Sequence, residues 1–400
     1  MARPYYWPPV YGADSSSFHI YTRMSLPGFF AFFLLVFACL PVVYADWGPM
    51  IGTIETGSGL AAGIRANHSI FQAAGAYSFA GYQQVEGQIG WNAPRRGFFF
   101  RPIRYEYEDV FDLPSTRQGG EEINQGKLLY FEFRYRDLSQ IDFFGVGPDS
   151  LHSSLTNFEQ RDSSFVGVTG YQFSRKFRFA VRTGYTIYAL SGGDDDDEPD
   201  TSALFGDTDA PGLAREPDFF IIGPAALLDL RDVPENPHSG GALGLSFTRF
   251  QPRSGDFAFS RYLFDARYFM PLRDPSRVAA FWFHTSIDHA DRSNRVPFYL
   301  QQALGGSQML RGFDNFRFRD SKLLYLSGEY RWEVKPAMEI AGFFDAGKVF
   351  SERQDFNLRN LRTSYGAGFR FKTEGGVVFR VDFARSSEEN RIVFRFGPSF

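Results

Sequence analysis

The strongest constraint in this chain is a two-residue rhythm that sets aromatic residues on one beat and ions on the other. In LLYFEFRYR (128–136), Leu129, Phe131, Phe133 and Tyr135 alternate with Glu132, Arg134 and Arg136. KFRFAVR (176–182) sets Phe177, Phe179 and Val181 against Lys176, Arg178 and Arg182. VVFRVDFAR (377–385) sets Val377, Phe379, Val381 and Phe383 against Arg380 and Asp382, and RIVFRF (391–396) sets Ile392, Phe394 and Phe396 against Arg391 and Arg395. A period of two is that of a β-strand with two unlike faces.

The kind of residue on each face decides the class. A soluble sandwich keeps its polar face in water and buries a core of modest aromatic content. Here the apolar face is dominated by Phe, Tyr and Leu, from a pool of 47 Phe and 20 Tyr, and the other face by arginine and carboxylate. That is the inside-out arrangement of a membrane barrel, with lipid outside and a charged, wet lumen inside. Lipid tolerates no open sheet edge, so such strands must close on themselves. Spanning helices are excluded for the mature chain, because no run of 18 apolar residues follows residue 45.

Sixteen segments are read as strands: 57–67, 70–80, 83–93, 97–110, 127–137, 158–172, 175–189, 218–231, 239–251, 256–271, 276–288, 321–333, 336–349, 362–372, 375–386 and 390–400. PFYLQQALG (297–305) lacks alternation and is assigned to a loop. The count is even, as in single-chain bacterial outer-membrane barrels. With the N-terminus in the periplasm, 271–277, 333–337 and 372–376 become short periplasmic turns, and 138–157, 190–217 and 289–320 become long outward loops. The stretch 111–126 is long for a periplasmic turn, which leaves the first four strands the least constrained.

Residues 27–43 are apolar, follow Arg23, and lead into Val43-Tyr44-Ala45 before Asp46. This is the layout of a secretory signal. Residues 1–45 are therefore expected to be a cleaved leader, with Met24 as an alternative start. The rival is a lipoprotein site at Cys39, against which the bulky Phe37 counts. Residues 46–56 would then be a short periplasmic segment and 57–400 the barrel. Removing 1–45 leaves 40 basic and 45 acidic residues, a net charge of −5, and no cysteine. The missing thiols suit an oxidising compartment. The acidic balance excludes a nucleic-acid binder.

GGSQMLRGFDNFRFRD (305–320) is too aromatic for a floppy loop and too charged for a strand. It lies in the long outward loop before strand twelve. Alternation in LLYLSGEYRW puts Tyr325, Glu329 and Arg331 on the lumen side, and in IAGFFDAGK it puts Phe343, Asp345 and Gly347 there. A loop arginine folded into the lumen would thus meet two carboxylates. Arginine suits that place, because its planar fork can hold both at once. Gly312 is expected to provide a sharp turn, and Phe313 and Phe316 to pack the loop onto interior apolar surface.

Taken together, Leu310-Arg311-Gly312-Phe313, Glu329 within Gly328-x-Tyr330-Arg331, and Phe343-x-Asp345-x-Gly347 resemble the BamA/TamA-like outer-membrane assembly barrels, also called bacterial surface antigens. RYRDLSQIDFFGVGPDS (134–150) and the terminal Phe400 add to the likeness. The resemblance implies an all-β, 16-stranded antiparallel transmembrane barrel with a long inward-folded extracellular loop, in the outer membrane of a Gram-negative-type bacterium. It implies a role in inserting or translocating proteins, with unfolded protein clients and a surround of outer-membrane lipid and lipopolysaccharide. It also implies lateral opening between the first and last strands, where Gly59, Gly63, Phe396, Gly397 and the C-terminal signal Phe400 would matter. The family's periplasmic domains have no counterpart in 46–56, so a separately encoded periplasmic partner is expected. The alternative is a passive channel or structural surface barrel.

Other features are read as ordinary. GGDDDDEPD (192–200) lacks calcium-loop spacing and is a solvated acidic loop. His284 and His289 fit no zinc spacing. Ser286 beside His284 lacks a third orienting group, so no enzyme is expected. No cofactor or metal is implied.

Overall fold

The computed structural model describes residues 45–93, 99–100, 126–195, 197–234, 236–274, 276–373 and 376–396. The leader expected at 1–45, apart from Ala45, lies outside them, as do Gly397 and Phe400.

Sixteen strands form one antiparallel ladder. They are β1 (Asp46–Gly52), β2 (Ala61–Asn67), β3 (Phe71–Ser78), β4 (Gln83–Trp91), β5 (Gly126–Phe143), β6 (Thr156–Gln172), β7 (Phe177–Gly192) and β8 (Phe219–Asp229). The second half comprises β9 (Gly240–Pro252), β10 (Phe259–Pro271), β11 (Arg277–Ala290), β12 (Lys322–Lys335), β13 (Met338–Phe350), β14 (Arg362–Thr373), β15 (Gly376–Arg385) and β16 (Asn390–Phe396). Each pairs with the next in sequence. β1 and β16 approach each other, which brings the ring nearly to closure.

The alternation resolves as inside-out. Phe131, Phe165, Tyr262, Phe281, Phe344, Phe383 and Phe394 are exposed, while Glu132, Arg134, Asp162, Arg182, Glu329, Arg370 and Asp382 are buried. A register shift between Leu138 and Ile141 moves the inward set of β5 onto odd positions, which turns Phe143 inward. There it joins Phe158, Phe219, Phe250, Phe259 and Phe298 in one buried aromatic cluster. Phe250 and Phe259 stack at 4.3 Å. The long-loop end of the interior therefore holds a packed aromatic cluster with the buried Arg261 and Arg319 against its rings, where the sequence pointed to a wet lumen throughout.

The count of sixteen stands, but its membership differs from the sequence expectation. Residues 46–52, expected as a periplasmic segment, are β1, paired with β2 from Asp46↔Asn67 to Gly52↔Ala61. DWGPMIG shows no clean alternation, and Pro49 is tolerated because an edge strand can do without one ladder donor. Residues 97–110, expected as strand four, lie outside the described residues apart from Phe99–Phe100, and β4 pairs directly with β5 along nine residues, from Gln83↔Asp137 to Trp91↔Leu129. Only Phe99–Phe100 of that stretch is described within its bounds, as a parallel bridge to Ile51–Gly52. Pro102 argues against a central strand there. With β1 added and β4 paired directly to β5, the numbering from β5 onward is unchanged. The long connections 144–155, 193–218 and 291–321 share one end with the short turns 79–82 and 386–389, and 92–125 joins β4 to β5 at the other end.

Candidate functional site

The loop between β11 and β12 carries its own small hairpin, Gln302–Leu304 paired with Phe318–Asp320. Its tip is the Gly305–Arg317 stretch. Leu310 is buried with φ 51°, a left-handed conformation that a branched side chain rarely adopts and that stores strain. Its side chain packs in a buried cluster with Leu304, Met309, Phe313, Phe318, Leu323, Tyr325 and Val349. That turn delivers Arg311 to the inward faces of β12, β13 and β15.

Arg311 is 2% exposed. Its Nε and Nη2 donate to the two carboxylate oxygens of Asp345, each at 2.8 Å. Nη1 donates to Glu329 Oε1 at 2.7 Å and to Asp382 Oδ2 at 3.2 Å. Its guanidinium lies 3.5 Å from the centroid of the Phe343 ring, which forms the floor. The bidentate fork uses the planarity that lysine lacks. The acids are shared further: Arg331 Nε donates to Glu329 at 2.9 Å, and Arg370 bridges Glu329 and Asp382 at 3.1 Å each. Ser327 Oγ donates to Asp345 at 2.7 Å, and Arg380 donates to the Ser307 carbonyl at 2.9 Å. One loop residue is thus tied into a network spanning four consecutive strands, β12 to β15.

Leu310, Arg311, Phe313, Glu329, Arg331, Phe343 and Asp345 are therefore brought together as the spacing suggested. Gly312 is at the site for a different reason than the turn expected. Its φ is not left-handed; instead a Cβ there would stand 2.8 Å from Arg385 C and 2.9 Å from Ser386 N, so the loop backbone lies directly on the end of β15. Gly347 likewise admits Leu304 and Tyr325, whose side chains a Cβ would crowd at 3.1 and 3.3 Å. Asp382, Arg370 and Arg380 were missed as partners. Their inward parity was readable, but the register that sets them at the depth of Glu329 was not.

The remaining basic and aromatic residues of the stretch anchor its outer half. Arg317 pairs with Glu388 at 2.8 Å and donates to the Ser150 carbonyl at 2.8 Å. Asp314 bonds Arg391, and His152 at 2.8 Å. Phe313 meets Phe318 edge-on at 5.3 Å.

The seam glycines do not sit where expected. Gly59 lies in the β1–β2 connection, and Gly63 is in β2, which has ladders on both sides. Phe396 ends the described part of β16 and packs on Phe379 at 5.3 Å. Ser286 and His284 do have a third group nearby, since Asp265 lies 3.0 Å from His284 Nδ1. Ser286 is nevertheless 0% exposed in the β11 wall, closed to any substrate. No group of metal-ligating residues occurs among the described residues.

The Omp85 superfamily domain matches residues 122–400 of the chain. No curated protein sequence is significantly similar to it. Among solved structures it is similar to BamA from Haemophilus ducreyi lacking POTRA domains 1–3, at 14% identity with a TM-score of 0.58, over 88% of this chain and 69% of that one. It is also similar to CdiB from Acinetobacter baumannii (12% identity, TM-score 0.47, 88% of this chain and 58% of that one). CdiB from Escherichia coli matches at 13% identity with a TM-score of 0.48, over 87% of this chain and 61% of that one. The chain thus spans less than two thirds of either CdiB chain. The BamA likeness is one of barrel architecture.

Proposed function

This chain belongs to the Omp85 superfamily of outer-membrane barrels, and we propose that it assists the insertion or translocation of polypeptides at the outer membrane. The observation that carries the reading is the shortness of the closing strand β1. β1 has 7 residues, against 18 in β5. A strand crossing lipid needs roughly 9–11 residues, so β1 is short for the task. A sheet edge held weakly in lipid is a template for another strand, because backbone groups there must find partners and an added strand supplies them.

The Arg311 network supports the same reading from the other side. It fastens the loop to β12–β15 through fully buried ion pairs, whereas β16 is held to the loop by the more exposed Asp314–Arg391 pair, so the wall up to the seam is stiffened more than the seam itself. Unfolded protein clients, delivered by a separately encoded periplasmic partner, are the cargo this arrangement suits. The passive-channel alternative is disfavoured by the aromatic cluster and the loop filling the interior.

The test uses the purified barrel in liposomes and follows the folding of a small unfolded barrel protein by its gel mobility. Folding faster than in empty liposomes, and slowed again by Arg311→Ala, is the expected result. A correctly folded barrel that gives no acceleration, with the periplasmic fraction added back, contradicts the proposal.

A further inference from the structure

On the side of the loop that faces β5 and β6 lies a cavity of about 120 Å³. One water needs roughly 10–15 Å³ of such space, so there is room for a small molecule. Three polar atoms buried on its lining have no hydrogen-bond partner: Tyr299 Oη, Gln301 Oε1 and Gln308 Nε2. The three residues are 6%, 8% and 6% exposed. Buried polar groups are nearly always satisfied, and a cluster of exceptions around one space calls for an occupant.

We propose that this cavity binds a small uncharged polyhydroxylated molecule, a neutral monosaccharide being the class that fits. The lining charges already have protein partners: Arg136 pairs with Asp162 at 2.9 Å and with Glu55 at 3.5 Å, and Arg319 donates to the Phe298 carbonyl at 3.0 Å. A charged ligand would have to compete with that arrangement. A hydroxyl, by contrast, both donates and accepts, so it satisfies the Gln301 carbonyl oxygen and the Gln308 amide nitrogen with one kind of group. Met309 and Phe316 supply apolar wall for the C–H face of a sugar ring. Glu55 and Thr56 belong to the β1–β2 connection, so an occupant touches the loop, the β5–β6 wall and the hairpin that carries β1.

The test is saturation-transfer NMR on the full barrel in lipid nanodiscs, free of sugar-based detergent, with D-glucose, D-galactose and myo-inositol, and with glucuronate and glucosamine as charged counterparts. Saturation should reach at least one neutral compound and neither charged one. Gln308→Leu should weaken that binding at least tenfold while the barrel keeps its folded gel mobility. Tyr299→Phe deletes only a hydroxyl, should weaken binding several-fold, and decides the matter if the leucine variant fails to fold. No transfer to any neutral compound, transfer to the charged ones alone, or transfer indifferent to the substitution that folds would each overturn the proposal, leaving a cavity that holds water only.

Discussion

The wall from β5 to β14 and the flank formed by β1–β4 belong to one ladder, yet they differ in strand length and in internal support. Strands β5, β6 and β7 run to 18, 17 and 16 residues, far beyond a membrane crossing, and their outer ends enclose the aromatic cluster. Strands β1, β2 and β3 have 7, 7 and 8 residues. Short strands leave a lipid-facing band that the bilayer must thin to match. Cohesion is thus concentrated opposite the seam and withdrawn from it. The Arg311 network marks the boundary, since it reaches β15 through Asp382, while the loop's hold on β16 is the more exposed Asp314–Arg391 pair. A barrel that only had to be stable would have no reason to distribute its strength this way.

This contrast can be broken at several points. The largest difference should appear in amide hydrogen exchange of the barrel in lipid, because local opening ranges from nearly free to the full unfolding free energy. Peptides from β1 and β16 should exchange orders of magnitude faster than those from β5–β7, and equal protection would dissolve the distinction. Next comes Arg311→Ala, which leaves Asp345, Glu329 and Asp382 short of a cation and should cost about 3–5 kcal/mol in reversible unfolding. A loss below about 1 kcal/mol would mean that Arg311 behaves as a solvated loop residue. Gly312→Ala drives a Cβ against backbone at Arg385–Ser386 and should cost about 1–3 kcal/mol. Arg295→Ala removes the outer pair with Asp207, which is 46% and 37% exposed, and should change stability by less than about 1 kcal/mol.

Legibility in the sequence followed the same division. From Leu128 onward, aromatic residues opposed by ions fixed strand identity, facing and number, because lipid on one side and buried charge on the other punish any slip of register. Arg311, Glu329 and Asp345 could be matched because each sits in a short, distinctive context. Asp382 could not, since its depth depends on ladders summed across four strands. The flank was harder to read. DWGPMIG carries no alternation, having Gly48 and Pro49 where a lipid-facing pair would declare itself, so β1 is not legible in the sequence. Gly312 was placed correctly but explained wrongly, because close approach between distant segments leaves no local trace, whereas the strained turn fell to Leu310.

The central claim is that the β1–β16 seam must part for the barrel to act. No cysteine follows residue 45, so Trp47→Cys and Phe394→Cys place single thiols on the two closing strands, to be joined by a short bifunctional thiol reagent. Both side chains face outward from the barrel, clear of the Arg311 network. The measurement is client folding in liposomes by the joined barrel, by each single-cysteine barrel treated alike, and by a joined barrel whose linker has been cleaved. The account predicts that joining abolishes the acceleration, that the single-cysteine controls keep it, and that cleavage restores it. A joined barrel that accelerates folding as well as the controls would contradict it.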